Sequence, residues 1–185
     1  FDGLAIRPVY APKKTTTRKF VDLGLSVKWC NLNFGATSIE EPGNYYAWGE
    51  IDPKKVFNLS TYRYYDSENE KFTKYVWANG SSYDEQEESD IELARIDDVC
   101  SMIVGFSYRI PSADDWKELR ENCTWTWTTI NYRDGYKVTG PNGNWIFLPT
   151  TGYRIGEGFS ENYNGYGYYW SRSRARNSVG AARAE

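Results

Sequence analysis

One stretch near the start of the chain alternates strictly between apolar and polar or small residues. The apolar positions are Val21, Leu23, Leu25, Val27 and Trp29, and between them lie Asp22, Gly24, Ser26 and Lys28. A period of two is typical of a β-strand with one face in the core, because successive side chains point to opposite sides. Residues 21–29 are therefore predicted to form one half-buried strand.

A first helix is predicted in the middle of the chain. Ser89 followed three residues later by Glu92 is a capping-box pattern. Apolar side chains then recur at helical spacing, at Leu93, Ile96, Val99, Cys100 and Ile103. Gly105 is a suitable residue to end this helix.

A second helix is predicted directly after Ser112. Asp114 and Asp115 suit its first turn, because carboxylates are favourable at the positive end of the helix dipole. The side chains expected on its inner face are Trp116, Leu119, Arg120 and Cys123.

After residue 122 the pattern returns to strands. Residues 125–130 are rich in strand-forming side chains, and Asp134-Gly135 is a hairpin-turn signal. Residues 136–139 would form the return strand, Pro141-Asn142-Gly143 a second turn, and residues 145–148 a third strand. Residues 168–171 are a further strand candidate. Two helices between an early strand and a late antiparallel meander indicate an α+β fold.

Composition places the chain among folded domains and narrows its chemistry. It has 185 residues, 40% hydrophobic and 17% aromatic, enough for one well-buried domain. The net charge of −3 gives no support for nucleic acid as a partner. No apolar run approaches the 18 residues of a transmembrane helix, so no membrane span is expected in this chain.

The candidate catalytic groups are few. The sequence contains no histidine, which excludes Ser-His-Asp and Cys-His nucleophile systems. The carboxylate pairs Glu40-Glu41 and Asp114-Asp115 are adjacent in sequence, which does not aim two carboxyl groups at one bond. The three cysteines, Cys30, Cys100 and Cys123, are favoured as free thiols, with a Cys100–Cys123 bridge as the alternative. We therefore expect a protein that is not an enzyme.

The end of the chain has the composition of a binding surface. Tyrosine and arginine offer large rigid contact area and planar hydrogen-bond donors at low entropic cost. The candidate ligand-binding residues are Tyr163, Tyr166, Tyr168, Arg172, Arg174, Arg176 and Asn177. Tyr169 and Trp170, between them, are expected to fill the core instead. The other expected scaffold residues are Val21, Leu23, Leu25, Val27, Trp29, Trp48, Trp116, Leu119, Trp125, Trp127 and Leu148.

Six motifs in order give the chain a family resemblance. They are VDLGLSVKW at 21–29, NYYAWGE at 44–50, YRIPSADDWKEL at 108–119, NCTWTWTT at 122–129, DGYKVTGPNGNWIFLP at 134–149 and GYYWS at 167–171. Together they resemble the Fibrobacter succinogenes major paralogous domain, over residues 20–171. This resemblance implies a C-type-lectin-like α+β fold of the formylglycine-generating-enzyme subclass, with two helices on small antiparallel sheets and much irregular loop. It also implies an exported bacterial protein, at the cell surface or in the periplasm, often part of an adhesin.

The resemblance also suggests how the chain is divided. Residues 1–12 contain GLAIRPV, which resembles the closing strand of the family domain, and residues 13–19 read as a polar linker. Residues 20–185 would be the lectin-like domain, lacking its final part. We expect the first piece to lie as a strand beside the sheet, in this chain or a neighbour, with Pro8 at an edge or a strand end.

Two further implications concern chemistry and variability. The formylglycine-generating relatives use a cysteine pair in the carboxy-terminal half, and nothing after Cys123 supplies a partner. Calcium-dependent lectins use Glu-Pro-Asn, whereas Glu41-Pro42-Gly43-Asn44 has an extra glycine, so no cofactor is expected and calcium is not supported. The residues after Trp170 also resemble the variable region of proteins diversified by retroelements.

The function predicted from these features is non-catalytic recognition of a ligand through a Tyr/Arg-rich surface near the C-terminus. The partner would be a protein or glycan on another cell or surface. A flat exposed patch favours a protein ligand, and a shallow groove with exposed rings favours a calcium-free sugar site. A patch buried against a tandem domain or neighbouring chain would indicate a structural repeat of a surface adhesin.

Overall fold

The computed structural model describes residues 3–10, 19–75, 92–160, 166–174 and 181–184, which form an α+β fold. The two α-helices are α1 (Val99–Ile103) and α2 (Ala113–Asn122), and short 3-10 helices lie at Leu59–Thr61 and Arg95–Asp97. The strands are β1 (Leu4–Ala5), β2 (Val9–Tyr10), β3 (Phe20–Val21), β4 (Lys28–Cys30), β5 (Tyr45–Tyr46), β6 (Tyr65–Asp66), β7 (Lys71–Phe72), β8 (Tyr108–Arg109), β9 (Thr124–Ile130), β10 (Arg133–Thr139), β11 (Trp145–Pro149), β12 (Tyr153–Ile155), β13 (Gly158–Ser160), β14 (Tyr169–Arg174) and β15 (Ala181–Ala184).

The first described residues lie inside two sheets of the same chain. Strand β1 lies between β14 and β5 in the order β15-β14-β1-β5, and β2 lies between β4 and β8 in the order β3-β4-β2-β8. Leu4, Ile6 and Val9 are at most 1% exposed. Pro8 directly precedes β2, where its missing N–H costs no ladder bond, and its carbonyl accepts from the N–H of Cys30.

The alternating stretch is not one continuous strand. It forms β3 and β4, separated by a bend in which Gly24 has a φ of +79° and donates its N–H to the Asp22 side chain. The alternation of burial nevertheless holds, because the apolar positions are buried or half-buried and the residues between them are exposed. The predicted inner face is therefore confirmed, and the single strand is wrong because an Asx turn closes inside it.

The first predicted helix is shorter and begins later than its pattern indicates. Asp98 accepts hydrogen bonds from the N–H groups of Cys100 and Ser101, so it starts α1 after a separate 3-10 turn. This break changes the helical phase, and Ile96 and Ile103 are 60% and 59% exposed instead of buried. The proposed cap at Ser89 lies outside the described residues.

The second helix begins as predicted. The Ser112 hydroxyl accepts from the N–H of Asp115, and the Asp115 carboxylate accepts from the N–H of Ser112, which is a reciprocal capping box. Trp116 and Leu119 are 5% and 0% exposed and pack on the sheet side of α2. Arg120, which was expected on the same inner face, is exposed.

The meander consists of β9, β10 and β11 in antiparallel order, but its first turn differs from the prediction. Asp134 and Gly135 lie within β10 and do not form the turn. The chain reverses at Asn131-Tyr132, whose φ angles are 47° and 66°. The second turn, at residues 141–143, and the third strand are confirmed.

The core is largely aromatic and agrees with most of the expected scaffold. Tyr169 and Trp170 are 3% and 5% exposed, which confirms them as core residues. Trp127 was expected among the scaffold residues, and this prediction is wrong because 43% of its surface is exposed. Buried scaffold residues are Leu23, Trp29, Trp48, Trp116, Leu119 and Leu148, and half-buried ones are Val21, Leu25, Val27 and Trp125.

All three cysteines are free thiols, as favoured from their number. Within the described ranges, no helix has both the length and the apolar character needed to cross a membrane.

Candidate functional site

The structure describes four of the seven residues predicted to bind a ligand. They are Tyr166, Tyr168, Arg172 and Arg174. The other three, Tyr163, Arg176 and Asn177, lie outside the described residues.

Arg172 is directed into the protein. Its side chain is 15% exposed, its Nη2 donates to the Leu93 carbonyl at 3.0 Å, and its Nε lies 3.1 Å from Glu92 Oε2. These contacts join β14 to the segment before α1. Arg174, at the end of β14, is half-buried. Arg172 and Arg174 are therefore half-buried, whereas Tyr166 of the same predicted surface is exposed.

Tyr166 and Tyr168 lie on a firmly held segment. The Thr151 hydroxyl accepts from the N–H of Tyr168 at 2.9 Å and donates to its carbonyl at 3.1 Å. The Tyr168 ring is half-buried against Tyr153, with centroids 5.3 Å apart. Tyr166 is 61% exposed, and its ring centroid lies 6.3 Å from that of Tyr168. This anchoring places an exposed phenol ring at a defined position.

One face of the meander carries a continuous group of apolar and aromatic side chains from all three strands. In the antiparallel register Trp127 lies opposite Tyr136, Trp125 lies opposite Val138, and Tyr136 lies opposite Leu148. Cross-strand partners share a face, as do residues two apart along a strand. Val138 and Leu148 are buried under α2, whereas Trp127 and Tyr136 are 43% and 38% exposed. The core face of the sheet thus continues outward as an exposed aromatic surface.

The rings on this surface hold one another in fixed orientations. Tyr136 lies between two tryptophans, with centroid distances of 4.9 Å to Trp127 and 5.5 Å to Trp125. Both pairs have edge-to-face geometry, at 75° and 72°, which is favourable for aromatic quadrupoles. Trp125 is also tied to the end of α2, because its indole Nε1 donates to the Leu119 carbonyl at 3.3 Å.

These elements enclose a cavity of about 580 Å³, which we call the aromatic cleft. Its lining comes from three parts of the chain: α2, which we call the first wall, the meander, which we call the floor, and residues 166–169, which we call the second wall. The lining residues are Trp116, Arg120, Trp125, Trp127, Tyr136, Leu148, Thr150, Tyr166, Gly167, Tyr168 and Tyr169. Two of the predicted binding residues, Tyr166 and Tyr168, therefore belong to a concave site of the size that small ligands occupy.

Among the described residues that line the cleft, Arg120 carries the formal charge. It lies in the last turn of α2 and is exposed to solvent. Within the described parts of the chain it has no hydrogen bond or ion pair. By contrast, Arg109 forms a two-point contact with Asp115. The Arg120 guanidinium is therefore available to a ligand in the cleft.

The buried acids belong to networks away from the cleft lining. Asp97 accepts hydrogen bonds from Tyr64, Lys74 and Tyr75. Burial raises its carboxyl pKa, but these donors outweigh burial and hold the pKa below its ordinary value.

Glu41, from the calcium-like motif, accepts from the N–H and hydroxyl of Thr37. Among the described residues, no group of three or more Cys, Asp or Glu side chains is placed to hold a metal ion.

Sequence reasoning missed Trp127, Tyr136 and Arg120 as site residues. The alternation of tryptophan and threonine in residues 124–128 correctly indicates one aromatic face. The alternation does not reveal that Trp127 lies beyond the buried part of this face. The position of that boundary depends on how far α2 covers the sheet.

No family model, no curated protein and no solved structure matches this chain. The candidate site is therefore argued from its geometry and chemistry.

Proposed function

We propose that this chain is a non-catalytic recognition domain that binds sugars through the aromatic cleft. The observation that carries the proposal is the exposure of Trp127, Tyr136 and Tyr166 within one cavity, at 43%, 38% and 61%. The C–H faces of pyranose rings are apolar, and they stack on aromatic side chains that are already held in place. Exposed rings of this kind are costly in water and gain by being covered.

The rigidity of the cleft supports this function. Tyr136 is held by two tryptophans, and Trp125 is tied to α2. The second wall is close-packed, since a Cβ at Gly167 would lie 2.8 Å from the Tyr169 ring. A site that needs little rearrangement loses less entropy when it binds.

A protein ligand is the second candidate, with Tyr166 as the observation that favours it. This ring is 61% exposed at the edge of the tyrosine- and arginine-rich end of the chain. Tyrosine is frequent at the centres of protein interfaces. The concave form of the cleft favours the sugar.

We further propose the wider setting that the family resemblance implies. The α+β fold with two helices and several small sheets is consistent with a C-type-lectin-like domain of the Fibrobacter succinogenes type. An exported or cell-surface protein of this family would present the cleft to glycans on another cell or surface. Diversification of the C-terminal segment by a retroelement stays a hypothesis, and a reverse transcriptase gene with a matching template repeat nearby would support it.

A glycan array in the presence of a chelator tests the proposal, with Trp127→Ala and Trp145→Ala as matched variants. Trp145 is 41% exposed, much like Trp127, but it lies on the opposite face of the same sheet. We expect the protein to bind a defined set of glycans, Trp127→Ala to lose at least tenfold in affinity, and Trp145→Ala to bind normally. Equal losses in both variants, or capture of proteins without any glycan, would contradict a sugar site in the cleft.

A further inference from the structure

Deepening the proposed function, on which this inference rests, we propose that the cleft selects acidic sugars and that Arg120 binds their carboxylate. The ligand class is a pyranose that carries a carboxylate on the ring, such as a uronic acid or a sialic acid. The evidence is the charge of the cleft, the position of Arg120, and the chemistry of a sugar stacked on the sheet.

The described lining of the cleft carries a positive charge and no negative charge. Apart from Arg120, its residues are aromatic, aliphatic or neutral polar, and the lining contains no carboxylate from the described residues. The exposed Asp134 carboxylate lies on the same face of the sheet but outside this lining, where it accepts from the Thr129 hydroxyl. A guanidinium beside aromatic rings, in a described lining without a carboxylate, favours an anionic ligand. The planar fork of an arginine also matches the two oxygens of a carboxylate.

Arg120 differs from Arg109 and Arg172, which form ion pairs within the protein. Arg109 pairs with Asp115, and Arg172 pairs with Glu92. Arg120 has no such partner in the described part of the chain. What distinguishes Arg120 is its place in the lining of the cleft.

The relative positions of Arg120 and the rings suit one bound sugar. Arg120 lies one helical turn after Trp116 on α2, so both face the cleft, while Trp127 and Tyr136 form the floor. A pyranose that stacks its apolar face on a floor of rings presents its ring substituents outward at its edge. The carboxylate of an acidic sugar lies at that edge, where a side chain from the wall can reach it.

Thr150 offers a further polar contact within the cleft. Thr150 is 3% exposed and its hydroxyl donates to the Asp134 carbonyl at 3.0 Å, so its oxygen can accept only from a sugar hydroxyl that reaches the inner end of the cleft. The cleft thus combines a stacking floor, a cationic wall and a neutral acceptor.

Isothermal titration calorimetry with matched ligands tests the inference. The probes are oligogalacturonate, oligomannuronate and sialyllactose, each compared with its own carboxyl methyl ester, which keeps the ring and removes the charge. We expect at least one acid to bind ten times more tightly than its ester. The same preference should weaken as the salt concentration rises.

Three variants assign this preference to the guanidinium. Arg120→Gln should reduce the acid-to-ester ratio to less than threefold while the ester still binds, and Arg120→Lys should restore part of the ratio. Arg95→Gln removes another exposed arginine and should leave the ratio unchanged.

The outcomes separate this inference from the proposed function. If glycans bind, Trp127→Ala abolishes binding and Arg120→Gln leaves the acid-to-ester ratio intact, the acidic ligand is wrong and the sugar site stands. If neither these acids nor their esters bind while a neutral glycan binds on the array and is lost in Trp127→Ala, the acidic ligand is wrong and the sugar site stands. If no glycan binds in either experiment, or if an acidic peptide binds through Arg120 and no sugar does, both proposals are overturned.

Discussion

Trp127 and Tyr136 are directly opposite each other in the β9–β10 pair, with their ring centroids 4.9 Å apart and their planes at 75°. This contact depends on the register of the hairpin, because a shift of one residue would place the two rings on opposite faces of the sheet. The register is set by the turn at Asn131-Tyr132, where both residues have positive φ. A turn outside the cleft lining thus determines whether Trp127 and Tyr136 share one face.

The Tyr132→Gly substitution should stabilise the protein. Tyr132 is fully exposed and has a φ of 66°, a left-handed conformation that is costly for a residue with a Cβ. Asn-Gly is the preferred pair for a two-residue hairpin of this kind, so we expect a gain of about 1 kcal/mol in the free energy of unfolding. Chemical denaturation measures it. Tyr132→Ala keeps the strain and is the control; an equal gain in this control would show that the backbone strain is not the cause.

Removing Arg172 and removing Arg120 should affect stability differently. Arg172 binds Glu92 and the Leu93 carbonyl from a largely buried position, so Arg172→Ala should cost about 2 kcal/mol. Arg120 has no partner in the described chain, so Arg120→Ala should change stability by less than about 0.5 kcal/mol. Thermal and denaturant unfolding of both variants test this contrast. Equal costs would mean that the internal contacts of Arg172 do not stabilise the fold.

The Asp115 carboxylate should make the protein sensitive to acid. Burial raises its pKa, but hydrogen bonds from Arg109 and Ser112 outweigh burial and hold the pKa below its ordinary value. A lowered pKa in the folded state stabilises the protein above the unfolded value of about 3.9, and this contribution is lost as the pH falls through the folded pKa. Asp115→Asn should therefore lose stability at pH 7 and show a weaker dependence on pH below about 4.

The neighbouring Asp114 provides the control for this pH dependence. It is exposed, adjacent in sequence and without the contacts of Asp115 among the described residues, so Asp114→Asn should lose less stability at pH 7 than Asp115→Asn. Unfolding by urea at a series of pH values measures both variants. Identical profiles for Asp115→Asn and the parent would contradict the assigned role of the carboxylate.

Gly135→Ala should destabilise the meander. A Cβ at this position would overlap the Leu148 carbonyl oxygen and lie 2.7 Å from the Phe147 ring. Because backbone atoms in the middle of a sheet cannot move aside easily, we expect a cost of about 2 kcal/mol. Denaturant unfolding measures it, and an unchanged midpoint would show that β10 and β11 are less closely packed than the structure indicates.

Gly135 also explains one failure of the sequence analysis. Asp134-Gly135 is a strong turn signal on local grounds, and Asn131-Tyr132 is a weaker one. The glycine is needed for close packing between β10 and β11, and the turn moves upstream to residues whose φ angles are less favourable. Local propensity could not reveal this, because the deciding contacts come from Phe147 and Leu148.

Other features followed directly from local chemistry. The capping residue Ser112 fixed the start of α2, and the apolar face of residues 21–29 was correct even where the strand was broken. Composition predicted two residues of the cleft, Tyr166 and Tyr168. It did not predict the exposure of Trp127, because that exposure depends on how α2 packs on the sheet. Similarly, nothing in the local sequence of Arg172 indicates that Glu92, eighty residues earlier, binds its guanidinium.

The central claim is that the exposed rings of the aromatic cleft bind the ligand. Two-dimensional NMR of the indole N–H groups follows each of the eight tryptophans during titration with a glycan that binds on the array. We predict that the Trp127 signal, assigned by Trp127→Phe, shifts most and saturates, and that the Trp145 signal on the opposite face stays in place. A saturating shift at Trp145 with none at Trp127 would contradict the account.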